Sequence, residues 1–139
     1  MANQATETFM RALHGLEGSG QVDELVALFS EDCELENLAA TTPVKGRDSA
    51  HQFWVNYYAA FQQIQSEFTR VIEGDQLAVL EWTARGALRD GQPIEYRGVS
   101  ILEWDGDRVR NFQTYYDSAA FMKRHHQAHQ AAGGGQVVS

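Results

Sequence analysis

The sequence holds a single cysteine, Cys33. That excludes a disulfide within the chain and a Cys-rich zinc site. Positive charge is also scarce: 11 Lys and Arg stand against 19 Asp and Glu, for a net charge of −8. Non-specific nucleic-acid binding needs a basic footprint, and an anionic membrane surface attracts basic segments, so neither partner is expected. The negative balance reads as solubility. No apolar run approaches the roughly 20 residues of a membrane-spanning helix. The opening residues, MANQATETFMRALHG, lack the basic start and apolar run of a secretory signal. The location expected from these absences is the cytoplasm. No internal repeat is visible in the sequence, and a single domain is expected.

What the chain does have is apolar content, 43% over 139 residues, enough for one core. The expectation is one domain over residues 1–129, followed by a low-complexity tail, 130–139, that is mobile. In residues 6–17, Phe9, Met10, Leu13 and Leu16 share a helical face. After the Gly18-Ser19-Gly20 break, Val22, Leu25, Val26, Leu28 and Phe29 predict a second short helix, with Asp23 and Glu24 favourably placed in its first turn. Cys33 to Asn37 alternates as a strand does. A third helix is marked by Ala50, Phe53, Trp54, Tyr57, Tyr58 and Phe61 at helical spacing, with Asp48 or Ser49 as its cap. This aromatic stripe reads as core rather than as a cofactor site.

From Gln65 the apolar period changes from 3.6 to 2, placing Ser66, Phe68, Arg70 and Ile72 on one face. Turns at Gly74-Asp75, Asp90-Gly91 and Asp105-Gly106 separate long strands over Leu77–Leu88, Ile94–Trp104 and Arg108–Tyr116. The layout is α+β: a curved antiparallel sheet wrapped around N-terminal helices. Its even positions should form the concave face. They include Trp82, Tyr96, Ser100, Thr114 and Tyr116, joined by Asn37 from the first strand. An apolar cavity with a few convergent polar groups suits a small ligand. The alternative is a filled core whose hydroxyls bond to nearby backbone. No Asp or Glu has inward parity on these strands, so the usual carboxylate for acid–base chemistry is missing from this face.

The segments LVALFSEDCELEN, GRDSAHQFW, LEWTARG, YRGVSILEWDGDRV and the closing YYD, in this order, resemble the nuclear-transport-factor-2-like superfamily, in particular its SnoaL-like group. The resemblance covers about residues 6–122. It implies a cone-shaped fold with a cavity at its wide end, and commonly a homodimer. Relatives include ketosteroid isomerases, polyketide cyclases, limonene epoxide hydrolases and non-catalytic binding proteins. Carried over by position, an isomerase's Asp base would fall at Asn37 and its second acid near Ser100. A cyclase's Asp would fall at Thr114, with a His near Ser100. An epoxide hydrolase's Arg would fall at Trp82 and its Asp residues at Ala84 and Thr114. Of these only Asn37 matches, through the epoxide hydrolase pattern, in which an Asn helps hold the attacking water.

Several residues remain to be assigned. His14, beside the Leu13 face, is the candidate proton carrier; the alternative is a partly exposed helix residue. Arg70 has inward parity and would sit at the cavity mouth to hold a ligand carboxylate or carbonyl; otherwise it pairs with a surface acid such as Glu67 or Glu73. Trp82 either stacks on a flat ligand or fills the cone. Asp117 reads as the cap of a terminal helix. His125 and His129 have metal-compatible spacing but lie beside a Gly-rich tail with no obvious carboxylate partner. No metal and no cofactor is expected. The leading expectation is a domain binding a small hydrophobic or polycyclic molecule through Asn37, Arg70, Trp82, Tyr96, Ser100, Thr114 and Tyr116. The second is an isomerase, cyclase or lyase moving a proton on a ketosteroid- or polyketide-like substrate. The third is a dimeric structural module with a filled cavity.

Overall fold

The computed structural model describes residues 4–37 and 42–121. The elements are α1 (Gln4–Ser19), α2 (Asp23–Val26), β1 (Phe29–Asn37), β2 (Val44–Lys45), α3 (Arg47–Ala59), β3 (Phe61–Gly74), β4 (Leu77–Leu88), β5 (Pro93–Asp105) and β6 (Arg108–Tyr116). The strands form one open sheet in the order β2-β1-β6-β5-β4-β3. The helices pack on its concave side. Most of the terminal helix expected after Asp117 lies outside the described residues, as do His125, His129 and the tail from 130.

The sheet is mixed rather than antiparallel throughout. β3 to β6 make the expected meander, but β1 pairs with β6 in parallel, through Leu35–Phe112 and Asn37–Thr114. A parallel neighbour needs a long crossover, and α3 with β3, β4 and β5 supplies it. The core is aromatic. Phe9 and Leu16 of α1, Leu25, Phe29, Trp54 of α3 and Phe112 of β6 are almost fully buried together. Each such side chain contributes about 2 kcal/mol by leaving water. Cys33 is buried in this core, and burial pushes its thiol up from the ordinary value.

Two boundaries move from the sequence reading. Phe29 opens β1 and Phe61 opens β3 instead of closing helices; both are buried either way. The α3 N-cap is Gly46, at φ 89°, with no side-chain cap. The helix start is tied to the sheet instead, by the Arg47 Nε–H donating to the Phe29 carbonyl at 2.9 Å.

β3 carries two irregularities. One extra residue enters between Phe61 and Gln63, another between Phe68 and Arg70. A bulge inserts a residue without a partner, bends the strand and reverses which side chains face inward. So Phe68 faces the helices but Arg70 and Ile72 face out, while Val71 takes the inward place opposite Leu80. The expectation that Ser66, Phe68, Arg70 and Ile72 share a face fails at the second bulge. Arg70 is exposed and pairs with Glu81 at 3.7 Å on the outer surface. It is not at the cavity mouth.

Candidate functional site

The register places the concave side chains in rows. Asn37, Thr114, Ser100, Leu80 and Val71 lie side by side across five strands. The next row is Tyr116, Gly98, Trp82 and Phe68, and the one beyond it Tyr96, Ala84 and Ser66. Between these rows and the helices lies a cavity of about 370 Å³. Phe9 and Leu13 of α1, Phe53, Trp54 and Tyr57 of α3, and Phe121 complete its walls. Six of the residues picked from the sequence line it: Asn37, Trp82, Tyr96, Ser100, Thr114 and Tyr116. Trp82, Tyr96 and Tyr116 leave the space open rather than filling it.

Trp82 crosses its row. Its indole lies over Gly98, where a β-carbon would collide with the ring. From there its Nε1–H donates to Ser100 Oγ at 3.0 Å, and Ser100 Oγ shares a hydrogen bond of 3.0 Å with Thr114 Oγ1. Tyr96 packs edge-on against Trp82, Tyr116 and Phe121, with centroids 5.4, 5.5 and 4.9 Å apart. Such arrangements fit the ring quadrupoles. They make a connected aromatic wall at this end of the cavity.

His14 is not in this cavity. It is an exposed side chain on α1 that lines a separate, more open groove beside β3. Its Nε2–H donates to the Ser66 carbonyl at 2.9 Å, and its ring packs on Phe68 at 5.3 Å. One helical position turned it away from the Leu13 face.

The carboxylate missing from the strands comes from that helix. Glu17, 7% exposed, lies behind Tyr57 and Ser66. Its Oε1 accepts the Ser66 N–H at 2.8 Å. Its Oε2 accepts the Ser66 hydroxyl at 2.6 Å and the Tyr57 hydroxyl at 2.7 Å. Burial, and then the negative charge of Glu17, hold the Tyr57 hydroxyl well above its ordinary range. Burial, Tyr116 and Glu17 do the same to Tyr96. A signal for Glu17 was present: it continues the α1 stripe four residues after Leu13, where an apolar residue belongs. Tyr57 was hidden in a stripe that reads as core.

Asp117 behaves as a cap: its Oδ1 accepts the Ala119 N–H at 3.1 Å. Among the described residues no group of His, Cys, Asp and Glu is arranged to hold a metal. No described helix is long and apolar enough to cross a membrane.

A curved, open α+β sheet folded over helices, with an aromatic-walled cavity between, defines the NTF2-like class. A protein of that class from Anabaena variabilis ATCC 29413 superposes with a TM-score of 0.79 at 17% identity, over 86% of this chain and 96% of its own. A candidate SnoaL-like polyketide cyclase from Jannaschia sp. CCS1 gives 0.75 at 18% identity, over 86% and 90%. An LEH-like epoxide hydrolase of M. tuberculosis gives 0.68 at 17%, over 86% and 85%. At these identities the likeness shows the fold. Among curated proteins none matches this sequence. Residues 7–112 match the SnoaL-like domain model, and the chain belongs to that family.

Proposed function

We propose that the cavity binds a small hydrophobic molecule, of the flat or polycyclic kind. The observation that carries this reading is an open space of about 370 Å³ walled by Phe, Trp and Tyr side chains. That volume lies within the range of small-molecule pockets, which are mainly apolar with a few placed polar groups. Here those groups are Asn37, Ser100, Thr114, Tyr96 and Tyr116 on the sheet, with Tyr57 and Ser66 opposite α1. Native mass spectrometry of the purified protein should show retained ligand. Titration with naphthalene derivatives should quench the fluorescence of Trp54 and Trp82, both on the cavity wall. Absence of both retained ligand and saturable binding overturns the reading.

A second reading, a proton-transfer enzyme of the isomerase, cyclase or lyase kind, is favoured by one observation: a buried carboxylate, Glu17, is hydrogen-bonded to a cavity-lining tyrosine. A carboxylate within hydrogen-bond reach of a reacting proton, directly or through one hydroxyl, is the usual equipment of general acid–base catalysis. Proteins sharing the fold include a candidate SnoaL-like polyketide cyclase and an LEH-like epoxide hydrolase. Screening cyclic ketones and epoxides tests it. Turnover that disappears in Glu17→Gln and Asn37→Ala supports catalysis; no turnover of any of them rejects it.

We also propose a homodimer through the convex face of the sheet. Val79, Val99, Ile101 and Tyr115 form a patch there, with Tyr115 40% exposed. Such a patch suits an interface core rimmed by charge.

A further inference from the structure

The hydrogen bonds around Glu17 give one wall of the cavity a defined polarity. Three donors converge on two carboxylate oxygens: the Ser66 N–H, the Ser66 hydroxyl and the Tyr57 hydroxyl. Tyr57 and Ser66 line the cavity, whereas Glu17 does not. With their hydrogens turned back onto Glu17, the two hydroxyl oxygens have only lone pairs to offer a ligand. The other end of the cavity differs. In the Trp82–Ser100–Thr114 chain, three hydrogens serve two bonds, which leaves one hydroxyl hydrogen to give.

We propose that Glu17, acting through Tyr57 and Ser66, makes this wall a hydrogen-bond acceptor, and that it selects apolar ligands carrying a hydroxyl hydrogen, such as phenols and enols, over their ethers and ketones. The inference rests on the cavity being a binding site for apolar molecules. Glu17 is a positioning residue here: it fixes the hydroxyl orientations and leaves contact with the ligand to Tyr57 and Ser66. A ligand hydroxyl placed on Tyr57 Oη would join a chain ending on a charge, the stronger class of hydrogen bond.

Glu17→Gln makes the proposal sharp. The Ser66 backbone N–H is a fixed donor, so the amide oxygen of the variant must stay opposite it. The amide nitrogen then faces Tyr57 and Ser66 and donates to both. Their hydroxyl hydrogens are released toward the cavity, and the wall changes from acceptor to donor.

The test compares 2-naphthol, 2-methoxynaphthalene and 2-acetylnaphthalene by calorimetry and Trp fluorescence. The wild type should bind the naphthol about tenfold more tightly than the methyl ether, the scale of one charge-assisted hydrogen bond. In Glu17→Gln the order should reverse in favour of the ketone. In Tyr57→Phe the naphthol-to-ether ratio should fall toward one, which keeps the test valid if the Gln variant does not fold. Equal wild-type affinity for naphthol and ether overturns the proposal while leaving the cavity a binding site, and so does a naphthol preference that survives Glu17→Gln. If none of the three probes binds the wild type, the binding reading itself fails and this inference falls with it.

Discussion

Tyr57 of α3 donates its hydroxyl hydrogen to Glu17 of α1, 40 positions away in the chain, across 2.7 Å. The same carboxylate receives both hydrogens of Ser66, so one side chain ties two helices' worth of sequence to β3. Replacing it with alanine strands the Ser66 N–H, which cannot rotate to a new partner. Glu17→Ala should lower stability by about 2–4 kcal/mol: one stranded buried donor costs ~1–3 kcal/mol, and the Tyr57 and Ser66 hydroxyls, which can turn to other partners, add the remainder. Urea unfolding measures it. A loss no larger than that of the exposed Glu7→Ala would contradict the structure.

Gly98 is a second sensitive position, for steric reasons. A methyl group there would meet the Trp82 ring and the Tyr115 carbonyl. Gly98→Ala should cost about 1–3 kcal/mol by overpacking. It should also push Trp82 off Ser100, which near-ultraviolet circular dichroism would register.

Arg70 offers the opposite expectation. Its pair with Glu81 lies on the outer face at 3.7 Å, with its own side chain 67% exposed. Exposed pairs contribute ~0–1 kcal/mol. Arg70→Ala should leave both stability and probe binding close to wild type. A large loss of binding would restore it to the cavity mouth.

Tyr57 and Tyr96 are both held above the ordinary tyrosine value of 10.0, chiefly by burial. The unfolded chain releases these two protons near pH 10 and the folded chain does so later. Above that pH the native state therefore binds more protons, and stability falls as pH rises further. In an ultraviolet titration the phenolate signal of these two residues should appear only with alkaline unfolding. Tyr57→Phe and Tyr96→Phe should each remove part of that late step.

The proposed homodimer predicts twice the monomer mass by sedimentation at micromolar concentration. Ile101→Asp, on the convex face, should yield monomers while the cavity still takes up its probes. A monomeric wild type would refute the interface.

Much of the cavity was legible because period-2 alternation is a local property. Once Asp90-Gly91 and Asp105-Gly106 set the turns, parity alone put Trp82, Tyr96, Ser100, Thr114 and Tyr116 on one face. The three long strands of β4 to β6 keep that parity through the cavity region. β3 does not. Its bulge after Phe68 carries no sequence mark, and one inserted residue was enough to send Arg70 outward. His14 failed for a similar reason, since about 100° of helical rotation separates it from Leu13.

The sequence by itself determined the class of fold, the turns and the faces of the central strands, because alternation, helical periodicity and Gly-containing turns act over a few residues. Only the tertiary structure decided where the carboxylate lies. Glu17 is an acid on an amphipathic helix until α1 docks. It becomes a buried hydrogen-bond acceptor because Tyr57 and Ser66, 40 and 49 positions away, bring their hydrogens to it. Burial of a charge is tolerable only where such partners converge, and that convergence is a property of the packed molecule.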